Sequence, residues 1–548
     1  MMYDDIARDL LRRFSILENH RNSWDQKWQD IAERVLPQHA IFQNNHHTVP
    51  PDQRVERIFD ATGALGVQRF AAVLESLLTP KQTKWHLLQP AETSLKRNYR
   101  VTRYLEDVRD LLFRVRYASK SGFAGNISEV YTSLGAFGTG PMLIEEELGR
   151  GIRYRHIHLA EVWLATDHIG MVDTVFRKFR YSARQARQRY KNAMPVTIGR
   201  QVEEAMKKDP EKEFTFLHIV MPAQEWTPGA MGIAGFAKAS YHICYDTKEL
   251  VGRGGYRTMP YAVPRYMSSN TAYGWAPALM VLPDIKTANE QRRTLLRQGQ
   301  MAVDPPILLH GESGVLQPFA TRPGATNYGW VSAEGKQLAV PFQTGANLAE
   351  GREEYATSRQ NIQAAFLTDL FQILIQKPNM TATEVLQWSQ EKGDLLAPTM
   401  GKQQSELLGP LIERELDILA AANMLPPMPQ ELQEAGGQIR VEYEGPLSRF
   451  QRSSEAAGFA RTIETTAGMI QLDPSVMDVF DKDEVMRSTA EINNVPTSWL
   501  LDPAQVAQTR QARAQQQQAQ MDAEQAPGQA AAVKSVAQAK KLEQGMPA

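Results

Sequence analysis

The stretch "FQILIQKPNMTATEVLQWSQEKGDLLAP", Phe371 to Pro398, reads as a helix, a break and a second helix. Phe371, Leu374 and Ile375 are spaced for one helical face. Lys377-Pro378-Asn379 stops the pattern, because the Pro378 ring has no N–H to donate and restricts the residue before it. Thr381 or Thr383 can cap the second helix, with Glu384 supporting the cap. A short polar loop with a lysine at its edge therefore cuts a long helical passage.

Outward from this break the pattern is simple. Upstream, Leu348 to Gln376 is helical, and Asp284 caps a helix through Met301. Between them, residues 304–345 are rich in Pro and Gly, with short apolar runs such as Ile307-Leu308-Leu309. Downstream, Thr383 to Met424 is a helix that Pro398 and Gly401 should kink. "QIRVEYEGP" is a strand, and Ser448 to Val495 is helical with a break at Pro474. The Ala/Gln-rich end, 505–548, has few large apolar residues; alone it is disordered or a frayed helix, and in an assembly it can join a bundle.

The front of the chain is α+β. Ile6, Leu10, Phe14 and Leu17 share one helical face, and Trp24, Trp28, Ile31 and Val35 share another, ended by Pro37. Phe70, Val73, Leu74, Leu77 and Leu78 mark the next helix, closed by Thr79-Pro80, and Tyr104 to Tyr117 a further one. Then "GPMLIEEE", "RYRHIHLAEVWLATD" and "VDTVFRKFRY" alternate or run apolar in short pieces, as strands do. Ser182 to Asn192 returns to helix, and "FTFLHIVMP" and "SYHICYD" are strands again.

With 548 residues and 42% hydrophobic content, the chain divides into two to four structural units. Lys+Arg is 61 against Asp+Glu 62, so no global charge draws it to nucleic acid or an acidic membrane. Cys244 is the single cysteine, which excludes an intrachain disulfide and a cysteine-held zinc. "MMYDDIARDL" lacks the apolar core of a signal peptide, and no apolar run reaches the length of a membrane span. A soluble protein made in a reducing cytosol is expected.

Catalytic signatures do not emerge. There is no P-loop motif. "GAFGTG" (Gly135 to Gly140) and "GRGG" (Gly252 to Gly255) read as turns, as does "GESG" at Gly311. His156 and His158 fall on one side of an expected strand, without a third ligand nearby to make a metal site. His46-His47 sit in a polar loop, "DKDE" at Asp481 reads as a helix start, and Cys244 as a small core residue. Neither an enzyme nor a cofactor is called for.

The order helix, turn-rich insert, helix, loop, kinked helix resembles the portal, or head-to-tail connector, family of T7-like short-tailed bacteriophages. The stretches that carry the resemblance are "FAAVLESLLTPKQTKW", "SEVYTSLGAFGTGPMLIEEE", "VDTVFRKFRYSARQARQRY", "APALMVLPDIKTANE", "RPGATNYGW" and "KPNMTATEVLQWSQEKGDLLAPTMGKQQSELLGPLIERELDIL", in the family's order from Phe70 to Leu419. The loop near His46 and the tail beyond Ser448 depart from it.

The resemblance implies an α+β, mainly helical portal fold. Residues 1–283 and the return 383–447 would form the wing. Residues 284–303 and 348–376 would be stem helices, 304–347 the clip, 448–500 the crown and 501–548 a helical barrel or disordered tail. It implies a dodecameric ring at one capsid vertex that conducts double-stranded DNA inward during packaging and outward during ejection. The implied partners are the terminase, the major capsid protein and scaffold, and a tail adaptor, with no membrane. Its place is the virion, after synthesis in the host cytoplasm.

Carried onto this sequence, residues 376–382 would be the tunnel loop, with Gln376, Lys377, Pro378, Asn379, Met380 and Thr381 beside the DNA. One lysine per subunit can sense the phosphate backbone without gripping it. Read locally, the same segment is a helix–helix corner with a solvent-facing lysine. The implied stem charges are Lys286, Arg292, Arg293 and Arg297 on the first helix and Glu350, Arg352, Glu353, Glu354 and Arg359 on the second. Arg322, Pro323, Tyr328 and Trp330 would be clip contacts to terminase or adaptor. A structural tail or capsid component without a channel, and a packaging-associated hydrolase, are the competing readings.

Overall fold

The computed structural model describes residues 2–42, 58–147, 151–224, 226–228, 230, 232–268, 271–309, 326, 330–337, 339–341, 348–367, 398–444, 461–462, 464–465, 481–492, 499–501, 505–519 and 536. The chain forms two compact units, residues 1–85 with 112–424, and residues 86–111 with 425–548.

In the first unit, α1 (Met2–Val35) is one continuous helix carrying both faces expected from the sequence. Leu10 and Phe14 pack on the sheet residues Trp163, Phe176, Leu217 and Ile243. Trp28 and Ile31 are fully buried further along. Arg21 sits between these two groups. Its guanidinium donates to the carbonyls of Leu159, Ala160 and Val162 and stacks 3.9 Å from the Trp163 ring, so this buried charge is satisfied from several sides.

The central sheet is an antiparallel meander β4-β5-β6-β7-β8, comprising Val162–Thr166, Val172–Ser182, Glu213–Pro222, Lys238–Cys244 and Glu249–Tyr256. Alternation puts Phe179, Phe216 and Cys244 on the face opposite α1, so Cys244 is a buried core residue. This second face is covered by a helical pair interposed between β5 and β6, Ala183–Tyr190 and Val196–Lys208. Ser182 starts the first of the pair through a reciprocal capping box with Gln185. The second helix was not anticipated, although Ile198, Val202 and Ala205 form its buried stripe.

A smaller sheet, β3-β2-β9, joins Gly151–His156, Met142–Glu147 and Tyr261–Ala262. Helix α4 (Phe123–Phe137) packs on this sheet, and α2 (Thr62–Leu78) packs on α4. Helix α3 (Tyr99–Arg116) is divided between the two units at Leu111/Leu112. The glycine clusters are not simple turns. Gly135 lies within α4, Gly138 ends it at φ +77°, and a Cβ at Gly138 would sit 2.3 Å from the Gly274 carbonyl oxygen. Gly252 to Gly255 lie within strand β8.

The returning helix differs from expectation. Its distortion is not at Gly401 but in a π-helical turn, Gln404–Leu408, leading into Gly409–Ala421. Pro410 has no N–H for the regular ladder, which accounts for a local defect beside it. Glu406 on this turn makes a bidentate pair with buried Arg265, at 3.1 and 2.7 Å. Glu415 on the next helix clamps Arg116 at 2.9 and 2.5 Å and accepts from the Tyr154 hydroxyl. The same guanidinium lies 4.5 Å from the Trp85 ring.

The second unit contains an antiparallel pair of β1 (His86–Pro90) with β12 (Ile439–Tyr443). Helix Lys482–Ile492 begins at Asp481, whose carboxylate accepts from the Asp483 backbone N–H, so the "DKDE" reading as a helix start holds. Residues 505–519 are helical, and Arg510 there forms a two-point pair with Asp483. The expected helix from 448 to 480 lies mostly outside the described residues.

Candidate functional site

Helices α7 (Leu282–Val303) and α8 (Leu348–Ala365) pack against each other as an antiparallel hairpin in the first unit, Leu295 beside Gly351 and Arg292 beside Tyr355. The first does not begin with Asp284 as a cap. It starts at Leu282, Pro283 occupies the first turn, where a missing N–H costs nothing, and Asp284 follows as a first-turn acid. The second runs Leu348–Ala365, Leu367 follows with φ +58°, and residues 368–376 of the expected helix lie outside the described residues. Facing residues are small or partly apolar: a Cβ at Gly351 would lie 3.1 Å from Leu295, and the Arg292 guanidinium lies 5.9 Å from the Tyr355 ring.

The base of the hairpin is fixed by a polar knot. The Asn289 side-chain oxygen accepts from the backbone N–H of Phe59 and Asp60, at 2.8 and 3.2 Å. The Tyr355 hydroxyl donates to Asp60 Oδ1 at 2.8 Å, and Thr62 donates to the same oxygen. Arg359 donates to Thr62 Oγ1 and lies 5.6 Å from the Tyr355 ring. Partial burial, then the Asp60 bond, raises the Tyr355 pKa, so it remains a donor throughout the neutral range. Lys286 pairs with Asp30 of α1, and Ile285 packs beside Gly63 of α2.

Of the implied stem charges, Lys286, Arg292, Arg293 and Arg359 therefore have partners in the same chain, Arg293 through Glu290 at 3.4 Å. Arg297, Arg352, Glu353 and Glu354 are exposed, as is Glu350. Beyond α7, β10 (Ile307–Leu309) pairs with β11 (Ala339–Pro341), and a bridge Val331–Gln337 closes a tight turn at Gly335. Trp330 is half-buried beside this bridge. Arg322, Pro323 and Tyr328 lie outside the described residues, as does all of Gln376 to Thr381. Asp60, Thr62, Asn289 and Tyr355 were missed from the sequence. Tyr355 gave the one available signal, being the only aromatic on an otherwise polar helix.

The histidine pair does not form a shared strand face. His156 ends β3, with Ser133 Oγ 2.9 Å from Nε2 and Glu129 3.3 Å from Nδ1. His158 lies beyond the strand, where Nδ1 accepts from the Ala160 N–H and the ring stacks on His39 at 5.2 Å. Burial, then the nearby His39, holds His158 well below the usual histidine pKa. Among the described residues no group of three or more His, Cys, Asp or Glu side chains is arranged for a metal ion, and no helix is long and apolar enough to cross a membrane.

A family model described as bacteriophage head to tail connecting protein matches residues 7–501. The chain is 27% identical over 526 residues to a probable portal protein of Bordetella phage BPP-1, covering 94% of this chain and 92% of that one. It is 26% identical over 516 residues to the portal protein of Salmonella phage epsilon15, covering 93% and 91%. A solved structure titled as the neck of an empty GTA particle aligns with 74% of this chain and 88% of its own at 13% identity, with a TM-score of 0.37. With the match running through the body, hairpin and return helix alike, the chain belongs to the bacteriophage head-to-tail connecting protein family.

Proposed function

We propose that this protein is the portal subunit of a tailed phage, a non-enzymatic ring component that joins capsid to tail and conducts double-stranded DNA. The observation that carries this is the similarity to two portal proteins over more than nine-tenths of the chain. The knot-anchored hairpin supports it, because a channel wall needs helices held rigidly at one end of a larger body. On this reading the wing is 1–283 with 383–447, the stem helices are 284–303 and 348–376, and the clip is 304–347. The tunnel loop is 376–382, the crown 448–500 and the tail barrel 501–548.

In the channel, Lys377 meets phosphates while Asn379 and Thr381 add little affinity, so the duplex is guided and still slides. The clip, with Arg322, Pro323, Tyr328 and Trp330, docks the terminase and later a tail adaptor; the wing meets capsid protein and scaffold. The ring is dodecameric, and the subunit resides in the virion.

Electron microscopy of the purified full chain tests this reading. Closed rings with a hole as wide as a DNA duplex are expected. Monomers or dimers without a hole at micromolar concentration would overturn it.

A further inference from the structure

The two flanks of the hairpin carry opposite charge. On α7, Ile285, Ala288, Arg292, Leu295 and Gly299 follow one another at helical spacing on the side toward α8 and the body. The side away from α8 carries Glu290, Arg293 and Arg297, again at helical spacing, with Lys286 at its base already held by Asp30 of α1. On α8, Gly351, Tyr355, Ser358 and buried Ile362 face inward. The far side presents Glu350, Glu353 and Glu354, followed by Thr357 and Asn361; its two arginines, Arg352 and Arg359, fall on the Tyr355 side. One flank is thus basic and the other acidic, and they point away from each other.

We infer that the basic flank of α7 in one subunit docks on the acidic flank of α8 in the next copy of this chain. The inference rests on the ring reading and names the contact that closes the ring. A two-fold dimer through either flank would set like charge against like, whereas head-to-tail contacts set unlike against unlike around a closed circle. The levels agree as well. Leu295 lies opposite Gly351 and Arg292 opposite Tyr355, so Arg297 stands at the height of Glu350 and Arg293 at that of Glu353 and Glu354. Rotation about a ring axis preserves height, so each arginine meets its acid when the hairpin runs along that axis. In wild type, Arg293 lies 3.4 Å from its own Glu290, with both side chains partly exposed, and 5.7 Å from the Phe59 ring, and an exposed pair of this kind adds little by itself.

The experiment compares the full chain, R293E/R297E, E350K/E353K and the four-fold combination by native mass spectrometry across protein and salt concentration. Each double variant is expected to raise the concentration for half-assembly at least tenfold, and the four-fold variant to restore it. Added salt should weaken the wild-type ring. Thermal melts identify any misfolded variant, and E350Q/E353Q then provides a milder neutralisation with the same expected direction. Unchanged assembly in both double variants, or no restoration in the combination, overturns the flank contact while leaving the ring reading intact. A wild-type monomer overturns the ring reading itself.

Discussion

The sheet-bearing body and the α7–α8 hairpin are held together by different physics. The body buries aromatic and aliphatic side chains on both faces of a five-stranded sheet, with Phe14, Trp28, Phe176 and Phe216 at 0–1% exposure. The hairpin buries almost nothing: Ile285 and Ala288 at the base of α7, and Ile362 on α8. Its attachment is a set of hydrogen bonds and one-sided packing around Asp60, Asn289 and Tyr355. A body of the first kind folds on hydrophobic burial. A hairpin of the second kind borrows its order from the body and leaves two charged flanks for a partner. Stability and assembly are therefore separable in this chain, and variants should divide accordingly.

The largest effect is expected at Glu415. Its side chain is 1% exposed and carries the counter-charge for Arg116, which is 0% exposed. Glu415→Ala strands that guanidinium and removes the acceptor of the Tyr154 hydroxyl. Breaking a buried pair from one side costs about 3–5 kcal/mol. The denaturation midpoint should fall sharply, and a midpoint equal to wild type would show that the return helix does not lock the body.

A smaller effect comes from acid. His218 and His242 stack at 4.2 Å within the sheet; His218 is bonded to Tyr261 and Ser240, and His242 to Tyr190. Burial, reinforced by Arg189 and Arg177, pushes His242 down to about 3. Burial, then His242, holds His218 well below the usual range. Unfolded histidine takes up a proton below about 6.5, so below that pH the unfolded chain binds more protons than the folded one. The stability is complete above pH 6.5 and declines as pH falls toward the folded value; for His242 alone the loss at pH 5 is about 2 kcal/mol. Denaturant midpoints at pH 7 and pH 5 should diverge less in His242→Phe than in wild type. An equal divergence would remove the imidazole stack as the cause.

The body was largely legible because its pattern repeats. Strands from Met142 to Cys244 alternate against a core, and α1 shows its stripes without help from any partner. Strand β1 was not legible, since "HLLQP" has little alternation and its partner, β12, lies far along the chain. The glycines of β8 read as turns because an edge strand needs no apolar repeat; Gly252 instead faces His242, and Gly255 crowds Phe236. The stem charges were countable in the sequence, but their sides were not. Sorting them required the Arg292–Tyr355 and Leu295–Gly351 contacts, which say where each helix faces inward. Asp60 and Asn289 were invisible for the same reason, since their meaning lies wholly in what they touch.

The smallest effect sharpens the contrast most. Tyr355→Phe removes one hydroxyl, the donor to Asp60 Oδ1 at 2.8 Å, and leaves the ring in place beside Arg292 and Arg359. Such a bond contributes about 1 kcal/mol, and Asp60 keeps the Thr62 hydroxyl as a second donor. The global midpoint should move little. The loss should appear as local opening, because the hairpin has little buried surface to hold it once the knot loosens. Hydrogen exchange should quicken several-fold along 348–365 while the amides of β5 to β7 keep their protection. Uniform acceleration across the sheet would mean that the hairpin and the body unfold as one unit; unchanged exchange in α8 would mean that helix packing, not the polar knot, carries the attachment.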